Sequence, residues 1–106
     1  MASLSTHVLD TSAGRPATGL RVTLESANGT VLASGVTDHD GRVGELSADL
    51  SLGEHRIRFD TGAWFAAEGV TAFYPEVVVA FTVADDQHHH VPLLLNPFGY
   101  STYRGS

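Results

Sequence analysis

Leu20-Arg21-Val22-Thr23-Leu24-Glu25 alternates apolar and polar side chains with period two, and Asn28-Gly29 follows a few residues later. Strict alternation is the mark of a strand with one face buried and one wet. Asn-Gly is the strongest short hairpin signal, because both residues accept positive φ. Thr30 to Thr37 is then the return strand, and the same grammar repeats outward. Upstream, Leu4 to Asp10 is a short strand that runs into the turn-rich Thr11-Ser12-Ala13-Gly14-Arg15-Pro16. Downstream, the turn Asp38-His39-Asp40-Gly41 leads to a strand at Val43 to Leu46, and Gly53 precedes the alternating His55-Arg56-Ile57-Arg58-Phe59. Ala63 to Glu68 is the one helical stretch, a turn or two that Gly69 stops. Glu76 to Ala84 reads as a buried strand, Asp85-Asp86 as a turn, and His88 to Leu95 as another strand. Asn96-Pro97-Phe98-Gly99 then breaks the chain before a last strand from Tyr100. Many short strands, one brief helix and no repeats predict an all-β sandwich.

The chain has 106 residues, enough for one domain over 1–106 and too few for two. It contains no cysteine, which removes disulfides, thiolate nucleophiles and Cys-based zinc sites together. The formal net charge of −6 argues against nucleic acid or anionic membrane as a partner. All six basic residues are arginine, so Schiff-base chemistry on lysine is excluded. The longest apolar run, around Val77-Val78-Val79-Ala80-Phe81, is far short of the ~18–20 residues a membrane-spanning helix needs. With no basic-then-apolar leader at the start, a cytoplasmic protein is the expectation.

Candidate chemistry centres on histidine. Of the run His88-His89-His90, strand alternation sends His88 and His90 to one face and His89 to the other. Three readings compete: a metal site, a solvated surface strand, and a general acid/base. Spacing alone ranks the solvated surface first, above all for His89. Asp38-x-Asp40-Gly41 has part of the look of a calcium loop, but Val36 and Ser47 stand where its outer ligands belong, so it reads as a turn. Arg42 follows that turn. His7 stands mid-strand, and Ser101 and Tyr103 have the spacing that places hydroxyls on one face of a terminal strand. Neither a phosphate loop nor a nucleophile elbow is present.

Taken in order, Leu4-Ser5-Thr6-His7-Val8-Leu9-Asp10 with Gly14-x-Pro16-Ala17, Thr37-Asp38-x-Asp40-Gly41-Arg42, Phe73-Tyr74-Pro75-Glu76 and the long closing segment from His90-Val91-Pro92-Leu93 to Tyr103-Arg104-Gly105-Ser106 resemble the 5-hydroxyisourate hydrolases over essentially the whole chain. The last segment is the most specific. His89 and Asn96 stand where that family commonly has Tyr and Ser.

The resemblance implies a transthyretin-like (prealbumin-like) sandwich of two four-stranded sheets with one short helix. It implies a homotetramer whose active sites sit in a channel between subunits. It also implies a cofactor-free hydrolase of 5-hydroxyisourate in urate degradation, with no metal. The catalytic set it carries over is His7, Arg42 and His90, with Tyr103, Ser106 and Ser101 binding the substrate. A non-enzymatic transthyretin-type carrier is the alternative; transthyretins share the fold but lack the two histidines, the arginine and the closing tetrapeptide.

Overall fold

The computed structural model describes residues 2–106. In chain order the strands and helix are β1 (Ala2–Asp10), β2 (Arg15–Pro16), β3 (Arg21–Ser26), β4 (Val31–Val36), β5 (Arg42–Leu50), β6 (Gly53–Phe59), α1 (Thr61–Ala67), β7 (Val77–Val83), β8 (His88–Asn96) and β9 (Gly99–Thr102). One sheet runs β4-β3-β6-β7, antiparallel throughout. In the other, β1 lies between β8, which is parallel to it, and β5, which is antiparallel; β9 continues the sheet beyond β8. The two-residue β2 pairs the end of β1 that β5 does not reach, so β5, β1, β8 and the shorter β9 form the body of this sheet and β2 is a stub on it.

The core lies between the inner faces. Leu4 and Val8 of β1 and Leu93 and Leu95 of β8 meet Val22 and Leu24 of β3 and Ile57 and Phe59 of β6, all essentially without solvent contact. Fully burying each such side chain contributes about 1.5–3 kcal/mol before chain entropy is set against it. The buried Thr6 hydroxyl is satisfied across the ladder, donating to the Val91 carbonyl at 2.6 Å. Phe65 drops from α1 into the same core. Gly69, at φ +73°, ends the helix, as its position predicts.

Several local expectations shift. The helix begins two residues earlier than Ala63, at Thr61. At the Asn28-Gly29 turn only Gly29 takes positive φ, at +88°. Asn28 instead accepts from the Thr30 hydroxyl through its side chain, and the loop is closed by the Ser26 N–H donating to the Thr30 carbonyl at 2.9 Å. β5 extends to Leu50, well past Leu46, because two register shifts against β1 break the alternation that the sequence reading followed.

The largest correction concerns His89. It is 3% exposed and lies on the inner face of β8, with Val91, Leu93 and Leu95. Its Nδ1–H donates to the Gln87 carbonyl at 2.9 Å; among the described residues its Nε2 has no hydrogen-bond partner, the Asp85 carboxylate lying 3.7 Å away. Three consecutive histidines carry no hydropathy contrast, so the run itself gives no parity. Val91, Leu93 and Leu95 do, and they place odd-numbered residues of β8 inside.

Candidate active site

The parallel pairing of β1 with β8 sets Ser3 beside His88, Ser5 beside His90 and His7 beside Pro92. Paired residues share a face, so these side chains stand on the outer face of the sheet. On the opposite side of β1, Arg42 of β5 is the cross-strand partner of His7. Three strands, distant in sequence, thus bring His7, Arg42 and His90 to one surface.

Arg42 is held there by the turn before it. The Asp38 carboxylate accepts the backbone N–H groups of Asp40 and Arg42, each at 2.9 Å. Those bonds hold its carboxyl below the usual aspartate value, with the Arg42 N–H the largest cause. Gly41 follows at φ +76°, and a Cβ there would stand 2.3 Å from the Val8 carbonyl oxygen. The turn is therefore pressed against β1, with the Val8 N–H donating to the Gly41 carbonyl at 2.7 Å. Only glycine fits, and the next residue is delivered opposite His7. Among the described residues the Arg42 guanidinium makes no ion pair, so its charge is available to a ligand. Side-chain ligand atoms of Asp38, His39 and Asp40 also lie within 4.8 Å of one another, but all three residues are exposed and the Asp38 oxygen is occupied by backbone.

Hydrogen bonds fix which nitrogens are free. His7 Nε2 lies 2.9 Å from the Asp40 carbonyl oxygen. A carbonyl only accepts, so Nε2 carries the proton and a neutral His7 presents a bare Nδ1. His90 Nδ1 lies 2.7 Å from the Ser5 hydroxyl, which leaves Nε2 as the ring nitrogen not engaged by Ser5. Burial, then the positive charge of Arg42, then His7 and His88 push His90 below the ordinary histidine value. A neutral imidazole near a cation is what results.

The C-terminal segment closes over this cluster. β9 ends at Thr102, but the Gly105 N–H donates to the His90 carbonyl at 2.8 Å and rejoins the ladder. Ser106 then lines a hollow of about 270 Å³ with Ser5, Arg42, Gly44, His88 and His90. Ser101 and Tyr103 are placed differently. Ser101 pairs with Leu94, four residues along β8 from His90, or about 13 Å at strand rise. Tyr103 lies beyond the strand end, so the period-two spacing with Ser101 stops short of it. It is 56% exposed and lines a neighbouring groove with Val79, Phe81 and His90 rather than the hollow that contains Arg42. Residues missed by sequence reasoning are Ser5, as a partner of His90, and His88, as a partner of Ser5. Their signal was present as the alternation Ser3, Ser5, His7 opposite His88, His90, but it becomes visible only once the β1–β8 register is known.

Residues 4–105 match the model of the HIUase/Transthyretin family. The chain belongs to that family. A probable 5-hydroxyisourate hydrolase of Schizosaccharomyces pombe is 43% identical over 98% of this chain and 91% of its own length. The solved 5-hydroxyisourate hydrolase of Klebsiella pneumoniae superposes with a TM-score of 0.92, at 43% identity, covering 98% of this chain and 99% of that one. Sea bream transthyretin in complex with thyroxine superposes with a TM-score of 0.88 at 32% identity, over 96% and 93% of the two chains. Both branches of the HIUase/Transthyretin family therefore share this sandwich, and the side chains of the pocket must distinguish between them.

Proposed function

We propose that this chain, acting as one domain over residues 1–106, hydrolyses 5-hydroxyisourate. Water opens an amide bond of the six-membered ring and gives 2-oxo-4-hydroxy-4-carboxy-5-ureidoimidazoline, a step of urate degradation. The observation that carries this reading is the grouping of two imidazoles, His7 and His90, with the unpaired guanidinium of Arg42 on one sheet face. Ring opening of a cyclic amide needs an activated water, a proton for the departing nitrogen and a positive group for the developing oxyanion. His7 and His90 divide the first two tasks. Arg42 keeps its proton near neutrality and so takes the third. The Ser106 hydroxyl, which lines the same hollow as Arg42 and His90, orients the planar substrate, and no cofactor or metal takes part.

Assembly as a homotetramer, with active sites in a channel between subunits, agrees with two features. The outer face of the β5-β1-β8-β9 sheet carries the site yet stands open. β7, meanwhile, is an apolar edge strand paired only with β6 among the described residues, which ordinarily needs a cover. A cytoplasmic setting suits a chain without cysteine. A transthyretin-type carrier is the second reading, and the grouping of His7, Arg42 and His90 on one face speaks against it, since passive binding has no need of an acid or base.

The experiment follows freshly generated 5-hydroxyisourate by absorbance with and without protein. Enzyme-dependent acceleration over spontaneous decay is expected, with large losses in His7→Asn and His90→Asn variants that still fold. Decay at the uncatalysed rate, or near-wild-type rates in both variants, would overturn it.

A further inference from the structure

The pocket histidine His90 does not stand alone on its hydrogen-bonding side. Ser5 Oγ lies 2.7 Å from His90 Nδ1 and also 2.7 Å from His88 Nε2. On the far side of that ring, His88 Nδ1 lies 2.6 Å from Ser3 Oγ. The result is an unbroken row, Ser3–His88–Ser5–His90, running along the β1–β8 ladder from half-exposed Ser3 to the pocket. Ser5 is 8% exposed, so its two contacts are shielded from competing water.

We propose that Ser5 and His88 are positioning residues that link His90 Nδ1 to solvent as a reversible proton relay, with Ser3 as its outer end. The proposal rests on the hydrolase reading above and adds to it which ring nitrogen does the work and where its proton goes.

The chemistry follows from donor counting. A serine hydroxyl has one proton and can donate to one imidazole at a time, while accepting from the other. The row therefore has two senses. In one, His90 Nδ1–H donates to Ser5, Ser5 donates to His88 Nε2, and His88 Nδ1–H donates to Ser3; His90 Nε2 is then bare and is a base. In the other, every bond is reversed and His90 Nε2 carries a proton. Passing from the first sense to the second moves one proton from the attacking water to solvent. The water O–H breaks as His90 Nε2–H forms. His90 Nδ1–H breaks as a new Ser5 O–H forms, and the old Ser5 proton goes to His88 Nε2. His88 Nδ1 gives its proton to Ser3, whose own proton leaves to bulk water. His90 ends neutral, so no imidazolium has to be held beside the Arg42 charge. The reverse passage resets the base.

Proton position can be read without turnover. Imidazole nitrogen NMR shifts report the tautomer of His90 directly, and a coupled row predicts that His88→Phe changes it when Ser5 is present and leaves it unmoved in Ser5→Ala. In turnover, Ser5→Ala should lower kcat about 10- to 100-fold, by analogy with loss of the partner that orients a metal-bound histidine, with KM nearly unchanged. Ser5→Thr, which keeps the hydroxyl, should restore most of the rate. The dependence of kcat on the deuterium fraction of the solvent should be curved in the wild type, with several protons moving, and straight in Ser5→Ala. A folded Ser5→Ala enzyme with wild-type kcat would overturn the relay. So would a Ser5→Thr variant as slow as Ser5→Ala, or a His90 tautomer indifferent to His88→Phe. If the wild type fails to accelerate decay, the hydrolase reading falls by itself, while the NMR coupling still decides whether the row exists.

Discussion

Replacing Gly105 by alanine tests the placement of His90 with one methyl group. A Cβ at position 105 would lie 2.5 Å from His90 Cδ2 and 3.2 Å from Cγ. Carbon atoms rest at about 3.5–4.0 Å, so the ring or the C-terminal segment must give way by about 1 Å. Gly105 is not among the positive-φ glycines, so alanine meets no backbone penalty and the strain falls on this contact alone. The ring is held by Ser5 at 2.7 Å, and its retreat would break that bond. If the chain yields instead, the Gly105-to-His90 backbone bond opens and Ser106 leaves the hollow. A displacement of about 1 Å at a reacting group costs about 10²-fold in rate, or about 2.7 kcal/mol of barrier. Stability should change little, because the bridge is a single backbone bond near the end of the chain, worth about 1 kcal/mol. The assay is the initial rate of enzyme-dependent 5-hydroxyisourate decay, with a thermal melt on the same samples. Gly99→Ala is the comparator, since its Cβ would find nothing nearer than 3.6 Å. A Gly105→Ala protein that melts like the wild type and turns over within about threefold of it would refute the contact as a determinant of catalysis.

Three more outcomes follow from the same geometry. Gly41→Ala combines a positive φ with a Cβ 2.3 Å from the Val8 carbonyl, so it should lower unfolding stability by about 2–4 kcal/mol and detach Arg42 from His7; the urea midpoint and the decay assay measure the two effects. His90 is held below the ordinary histidine value, so activity that needs it neutral should persist below pH ~6.5, and Arg42→Met should move that acid limb upward, as a rate–pH profile will show. For stability the sign is the same: the contribution of neutral His90 is present above pH ~6.5, declines as pH falls from there through its lowered value, and declines less in Arg42→Met. His89→Phe keeps a ring in the core and removes both the Nε2 that lacks a hydrogen bond and the Nδ1–H bond to Gln87, two opposing effects of about 1 kcal/mol each. Stability in denaturant titration should therefore stay within about 1 kcal/mol of the wild type, and the decay rate should be unchanged.

What the sequence determined by itself was local and periodic. Alternation at Leu20–Glu25 and His55–Phe59, the turn residues between strands and Gly69 after the helix place nearly every element, because these signals depend on neighbours in the chain. The resemblance of whole motifs also pointed to His7, Arg42 and His90 before any geometry was known. Tertiary structure decided what depends on pairing. Nothing near His89 in the chain says that another sheet covers it, and nothing near Ser5 says that two imidazoles will share its hydroxyl. The parallel β1–β8 register joins residues more than eighty positions apart, and one step of slippage would turn every one of these side chains to the other face. Gly41 and Gly105 make the same point in space rather than register. Their missing side chains matter only because Val8 and His90, remote in sequence, occupy the room a Cβ would take.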